Sequence, residues 1–279
     1  MTNTKTIRQG QNARLDKKYT WWRTGAWLGT WLAYAGFYLC RKTISVAPPE
    51  MMKEFGWELH TVTFIMSGYF WTYALGQFFN GVLGDKMGSR GMLAIGFVTT
   101  ILMNTLFGFS SAVVFFFLLW TINGFAQSMG WPSIIKAMSN WFSVRERGKI
   151  MGPWGTCYPV GDVGGTALAA FVIGHATVVS VMTPEGEVTY SNWRWVFWIA
   201  SIALALLAVI VFLILRNKPE DVGLPPIAEY HNMAKVMHNP EEQEKKSDVW
   251  YNCKNVLCQR PIWVLGISYF AIKFIRYTF

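Results

Sequence analysis

Arg41 and Lys42 stand side by side inside a run that otherwise has the composition of a lipid-embedded helix. The run 21–49 reads WWRTGAWLGTWLAYAGFYLCRKTISVAPP, and apart from Arg23 near its start these are its only charges. A charge at membrane depth costs about 2–3 kcal/mol even on the scales that price it lowest. Such a cost is retained where the charge faces a cavity and binds something, and two adjacent cations point to an anionic ligand. The other reading ends the helix at Cys40 and leaves the pair among lipid headgroups. This window alone leaves both readings open. The spacing 34, 38, 41/42 puts Tyr34, Tyr38 and the two cations near one helix face.

The elements that must position this pair are membrane spans. Of the 279 residues, 52% are hydrophobic and only 15% charged, and the mean hydropathy is +0.25. Many of the 15 Trp lie near the ends of apolar runs, as interfacial belts do. Seven apolar segments have roughly bilayer-crossing length: 21–48, 62–83, 92–110, 112–138, 150–175, 194–215 and 261–279. The predicted fold class is therefore an all-α membrane protein. Gly76, Gly124, Gly130, Gly161, Gly164 and Gly165 are placed to let helices approach closely.

Loop charge sets the orientation. Lys5, Arg8, Arg14, Lys17 and Lys18 precede the first span; Lys86 and Arg90 follow the second; Arg145, Arg147 and Lys149 follow the fourth; seven more basic residues lie between Arg216 and Arg260. All fall on one side if the spans alternate, which predicts a cytoplasmic N-terminus in the cell (inner) membrane. Four parts result: a cytoplasmic segment 1–20, a six-helix bundle 21–215, a polar cytoplasmic linker 216–260, and the start of a seventh helix at 261–279. The sequence stops inside that seventh apolar segment, so the expectation is a fragment or the product of a truncated gene.

The formal charge of +9 is spread over these loops with no aromatic-interleaved basic patch, which argues against a nucleic-acid binder. Cys40, Cys157, Cys253 and Cys258 make no zinc spacing with His60, His175, His231 or His238, so neither metal nor cofactor is expected and the thiols read as reduced and structural. No nucleophile–base arrangement or nucleotide-type glycine loop is visible, so an enzyme is not expected.

The second–third connection reads Gly81-Val-Leu-Gly84-Asp85-Lys86-Met-Gly88-Ser-Arg90. It resembles the signature loop of the major facilitator superfamily. There the glycines permit a tight turn, and Asp85 could accept hydrogen bonds at a helix end and pair with an Arg such as Arg90. The resemblance implies a latch of Gly81, Gly84, Asp85, Gly88 and Arg90 that closes the cytoplasmic side. It also implies a first six-helix bundle followed by the start of a second. Arg145-Glu146-Arg147-Gly148 at the fourth–fifth connection is a weaker element of the same kind, since charged loops are usually solvated faces.

Tyr34-Ala-Gly-Phe-Tyr38-Leu-Cys-Arg41-Lys42 resembles the first helix of the organophosphate:phosphate antiporters, the group with glycerol-3-phosphate and hexose-6-phosphate transporters. Gly223-Leu-Pro-Pro226-Ile-Ala-Glu229-Tyr230 resembles their linker, and Tyr269-Phe-Ala-Ile-Lys273-Phe-Ile-Arg276 their seventh helix. The resemblance implies that Arg41 binds substrate phosphate near mid-membrane, that Lys42, Tyr34 and Tyr38 line the same cavity, and that Arg276 is a second phosphate-binding arginine. Lys273, one turn earlier, adds a third cation to the pocket or snorkels to the interface. One departure stands out. Where the family carries a His soon after Trp154, this chain has Tyr158, which can still donate to phosphate but does not titrate near neutral pH. Asp162 is read as a partner for a cation or substrate contact, or as a structural pair within the bundle. Lys136 is expected to snorkel.

The implied function is exchange of an organic phosphate ester for inorganic phosphate by alternating access of a monomer, its other partner being the lipid bilayer. Two arginines would roughly neutralise a phosphate monoester, and an empty, uncompensated site would resist reorientation. The alternatives are a sugar-phosphate sensor that signals through a kinase, which the same family includes, and a truncated chain without activity of its own. Which ester is carried is left open.

Overall fold

The computed structural model describes residues 2–183, 186–230 and 258–278; the chain divides into one unit of residues 1–231 and a second of 232–279. The first unit holds α1 (Thr2–Val46), α2 (Pro48–Phe55), α3 (Leu59–Phe109), α4 (Val113–Ser128), α5 (Gly130–Trp141), α6 (Val144–Trp154), α7 (Cys157–His175), strands β1 (Val178–Thr183) and β2 (Gly186–Ser191), α8 (Arg194–Ile214), a 3-10 turn (Pro219–Val222) and α9 (Ile227–Tyr230). The described part of the second unit is α10 (Arg260–Thr278).

Glycine and proline decide where the spans bend. In α3 the second and third apolar segments run on through a kink at Gly88, whose φ of +73° is open to glycine but disfavoured for other residues. Pro132 has no N–H for the Ser128 carbonyl, and the fourth span breaks there into α4 and α5; Gln77 Nε2 donates to that freed carbonyl at 3.1 Å. The fifth span starts earlier than its apolar composition indicates, at Val144. Ser143 and Glu146 form a capping box there, and the helix breaks again after Trp154.

Among the described residues, four helical stretches are long and apolar enough to cross a bilayer: Lys86–Phe109, Val113–Trp141, Val144–His175 and Arg194–Ile214. Seven such segments were expected. α1 and the first half of α3 fall short because tyrosine, tryptophan and amide side chains replace aliphatic ones along them. Large apolar side chains are exposed along these helices, among them Phe70, Trp71, Phe78, Val98 and Leu213. In water such a surface would be an aggregation hazard; against lipid it is the ordinary exterior.

Two buried clusters fill the bundle, one around Phe37, Phe97, Trp141, Trp154 and Leu204, the other around Phe107, Phe116, Trp120, Trp193 and Phe197. Five of the six singled-out glycines mark contacts. A Cβ on Gly161 would sit 3.0 Å from the Ala35 Cα, and one on Gly165 3.0 Å from the Tyr38 carbonyl oxygen, so α7 lies directly on α1. Gly124 faces the Tyr69 carbonyl, Gly76 faces Ser128 and Gly130 faces Phe37, whereas Gly164 faces open space.

The hairpin β1–β2 departs from the all-α expectation. It pairs antiparallel from Val178↔Ser191 to Thr183↔Gly186. Its residues fall between the expected spans 150–175 and 194–215. Charges anchor it: Ser191 N–H donates to Glu50 at 2.6 Å, while Trp193 Nε1 and Arg194 Nη1 donate to Glu54 at 2.7 and 2.6 Å. Glu54→Ala strands an arginine and an indole N–H that are mostly shielded from water. It is expected to lower stability by about 2 kcal/mol, read as a drop in melting temperature in detergent; an unchanged melting temperature would show the anchor to be idle.

The head of the segment read as a polar linker is folded. Gly223 (φ +68°) turns the chain back, Tyr230 stacks on Tyr19 with centroids 4.0 Å apart, and Lys18 Nζ donates to the Val222 carbonyl at 2.8 Å. Tyr230 O–H donates to Asp16 at 2.9 Å. The remainder, 231–257, lies outside the described residues.

Candidate functional site

Four helices each send two polar or aromatic side chains, spaced four residues apart, to one face: Tyr34 and Tyr38 on α1, Tyr69 and Tyr73 on α3, Asn123 and Gln127 on α4, Tyr158 and Asp162 on α7. Arg41 enters this face because α1 continues helically past Cys40 to Val46. That excludes the reading in which the helix ends before the pair. The guanidinium carbon stands 4.5 Å from the Tyr38 ring centroid, 4.8 Å from Tyr73 and 5.6 Å from Tyr69. These aromatic faces offset part of the cost of removing the cation from water.

The arginine's hydrogen bonds are incomplete. Nε donates to Gln127 Oε1 at 3.1 Å, and Tyr69 O–H donates to the same oxygen at 2.9 Å. Among the described residues Nη2 is buried with no hydrogen-bond partner. A buried unsatisfied donor is expensive, about 1–3 kcal/mol and more when charged. A protein keeps one chiefly where a ligand completes it. A guanidinium with its Nε edge fixed and its Nη donors left over is suited to bidentate contact with a planar or tetrahedral oxyanion.

Lys42 does not share that freedom. Its Nζ lies 2.6 Å from Asp162 Oδ1, with 29% and 43% of the two side chains exposed. The pair fits both readings of Asp162, a partner for a cation and a structural pair within the bundle. The close approach of Gly161 and Gly165 to α1 brings this pair together. Tyr158 lies at the start of α7, its ring 5.0 Å from Tyr34 and 6.0 Å from Tyr38, with Trp131 and Trp154 closing the cluster at 5.9 and 6.2 Å. Tyr34, Tyr38, Tyr158, Arg41 and Lys42 therefore lie together. Lys273 and Arg276 belong to α10 in the second unit, and their side chains lie outside the described residues.

Sequence reasoning passed over Tyr69, Tyr73, Asn123 and Gln127. The signal was present: Asn123 and Gln127 are amides one turn apart in the apolar run of α4, and both are fully buried.

In the signature loop Arg90 is held by the end of α8 and the residue Asn217 that follows it. Arg90 Nη2 donates to the Phe212 carbonyl at 2.8 Å and its backbone N–H to Asn217 Oδ1 at 2.8 Å, so it closes the end of α8. The side chain of Asp85 lies outside the described residues. Gly88 alone of the loop glycines has left-handed backbone; Gly81 and Gly84 are helical with open space beside them. Lys136, expected to snorkel, instead donates to the Gly84 carbonyl at 3.0 Å, because the break before α5 turns it toward α3. Nor is the Arg145–Gly148 stretch a solvated face throughout. Glu146 meets Arg23 Nη2 at 2.8 Å, and Arg147 donates to the Phe142 and Ser139 carbonyls at 3.2 Å each.

A surface groove of about 400 Å³ is lined by Thr20, Arg23, Thr24, Trp27, Phe142, Lys149, Ile150 and Pro153; Arg41 does not border it. Cys40 and Cys157 are buried free thiols and Cys258 an exposed one; Cys253 lies outside the described residues.

The family model described as Major Facilitator Superfamily matches residues 26–279. The chain belongs to the major facilitator superfamily. It is 28% identical over 273 residues to a probable hexose phosphate transport protein of Chlamydia pneumoniae, covering 94% of this chain and 56% of that protein. It is 28% identical to the membrane sensor protein UhpC of Salmonella typhimurium, with the same coverage, and 27% identical to the glycerol-3-phosphate transporter of Bacillus subtilis, covering 97% of this chain and 59% of the relative. The chain thus spans a little over half the length of these relatives. Among solved structures, an inward-facing, unoccupied bacterial homologue of the human lysosomal transporter Spinster matches with a TM-score of 0.57 and 17% identity, over 71% of this chain and 44% of that one. At that identity the likeness shows the fold. The superfamily assignment makes the helical first unit part of a membrane protein of that fold.

Proposed function

We propose that this chain forms the first half of a carrier that exchanges an organic phosphate ester for inorganic phosphate, with Arg41 gripping the phosphoryl group. The observation that carries the reading is the buried Nη2 of Arg41, unpartnered among the described residues, amid tyrosines and a neutral amide. The names of the relatives at 27–28% identity, a hexose phosphate carrier and a glycerol-3-phosphate carrier, support the substrate class. Tyr34, Tyr38 and Tyr158 line the site, and the full carrier works by alternating access as a monomer. Residues 21–215 make the bundle, 216–260 the connection and 261–279 the entry to the second half. The basic loops place the N-terminus in the cytoplasm and the carrier in the inner membrane.

The chemistry needed is modest. A phosphate leaving water must recover its hydration through fixed donors, and Arg41 keeps its charge when desolvated. Without ligand, unbalanced cations at membrane depth resist reorientation; the bound anion removes that cost, so turnover requires a load in each direction. Counterflow in proteoliposomes loaded with inorganic phosphate and offered labelled glycerol-3-phosphate, hexose phosphates or phosphoglycerate tests this. The sensor reading has support in the equally similar UhpC. Binding without counterflow would favour it.

Asp162 gives a sign test. Its carboxylate holds negative charge beside the site through Lys42. Asp162→Asn is expected to tighten phosphate binding about threefold and Lys42→Ala to weaken it by a similar factor, both small because the pair is partly solvated. Equilibrium binding of inorganic phosphate reads both; shifts of the same sign in the two variants would contradict the arrangement.

A further inference from the structure

We propose that Gln127 is the positioning residue of the anion site: it holds the Arg41 fork in the orientation that phosphate requires and leaves its charge intact. This rests on reading Arg41 as the anion grip. One oxygen, Gln127 Oε1, receives both the Arg41 Nε–H at 3.1 Å and the Tyr69 O–H at 2.9 Å. The other end of the amide is engaged too. Nε2 donates to Asn123 Oδ1 at 3.3 Å, one turn back on α4, and Asn123 Nδ2 reaches Asn104 Oδ1 on α3 at 3.5 Å. Gln127, Asn123 and Asn104 are all fully buried. Flipping the amide would set its NH2 group against the Arg41 Nε–H, which can only donate, and its oxygen against the Asn123 oxygen; the Tyr69 hydroxyl could serve either orientation, so the arginine is what orients the amide.

The consequence falls on Arg41. A guanidinium is planar, so fixing Nε–H and covering the faces with Tyr38 and Tyr73 leaves only the Nη donors for a ligand. Preorganisation of this kind raises affinity by removing the cost of ordering a long side chain on binding. A glutamine supplies the acceptor without charge. A glutamate at the same place would hold the arginine in an ion pair and compete with phosphate. The bond of Thr72 Oγ1 to the Thr121 carbonyl, 2.6 Å, and the absent side chain of Gly124 bring α3 close enough for Tyr69 to reach Gln127.

The test is calorimetric binding of inorganic phosphate to the purified protein in nanodiscs, with melting temperatures measured alongside. Gln127→Met keeps the length and removes the acceptor; phosphate affinity is expected to fall about tenfold (about 1.4 kcal/mol). Gln127→Glu keeps the acceptor and adds charge. Its affinity is expected to fall at least about tenfold while its melting temperature holds or rises, because Arg41 gains a counter-ion. A residue that merely supports the fold would move the two readouts together. Wild-type affinity in either variant, or a Gln127→Glu protein that loses stability and affinity in parallel, overturns the proposal. Wild-type protein that binds no phosphate, or an Arg41→Lys protein that binds it normally, overturns the reading of Arg41 and this inference with it.

Discussion

Replacing Arg41 by lysine is expected to reduce phosphate exchange at least about a hundredfold, although the charge is kept. Three losses combine. Lysine has no Nε, so the bond to Gln127 Oε1 and the orientation it imposes disappear. An ammonium cannot present two parallel N–H donors to a phosphoryl group. A compact ammonium is also more strongly hydrated than a guanidinium, and the rings of Tyr38, Tyr69 and Tyr73 stack less well on it. A hundredfold loss corresponds to about 2.8 kcal/mol, within what one charge-assisted bidentate contact supplies. Exchange of labelled inorganic phosphate in proteoliposomes, normalised to folded protein, is the measurement. A lysine variant that exchanges at the normal rate would show that the fork geometry is irrelevant and would remove the basis for a phosphoryl grip.

The parts of this site differ in how visibly the chain encodes them. Arg41 and Lys42 are legible because charge inside an apolar run is costly and so carries information. The first face, Tyr34–Tyr38–Arg41, follows from helical spacing once α1 is known to continue. Partners from other helices are harder to read. Gln127 is one amide in α4, and nothing in its window says that it meets Arg41, since the meeting depends on the depth at which α1 and α4 cross. The superfamily resemblance supplied the fold and the signature loop, but not that Arg90 would close the end of α8 on Phe212 and Asn217. The helix breaks at Met129 and Gly155 were foreshadowed by Pro132, Pro153 and Pro159, yet a hydropathy window averages across them. The hairpin was missed for a related reason. Its strands are short and sit between two spans, where the glutamates drew the reading toward a loop, although those of α2 are what tie it down.

Gly161→Val is expected to be strongly damaging although it lies away from Arg41. A Cβ at Gly161 meets the Ala35 Cα and carbonyl oxygen at 3.0 Å and the Tyr38 Cβ at 2.9 Å. The first two are backbone and cannot give way by a rotamer change. The helices must separate, and valine, branched at Cβ, has few χ1 positions in a helix with which to avoid the clash. Overpacking of this kind costs about 1–3 kcal/mol in soluble cores. Here the contact is also what a membrane bundle relies on, since lipid supplies no hydrophobic force to hold α7 against α1. About 3 kcal/mol is therefore expected, read as a fall in melting temperature in detergent. Separation also pulls Tyr158 from Tyr34, so phosphate affinity should fall even in the fraction that remains folded. Gly164→Val, one turn of backbone away but facing open space, serves as the control and should be nearly neutral. Equal damage from both would mean that helix propensity, not the α1–α7 contact, sets the cost.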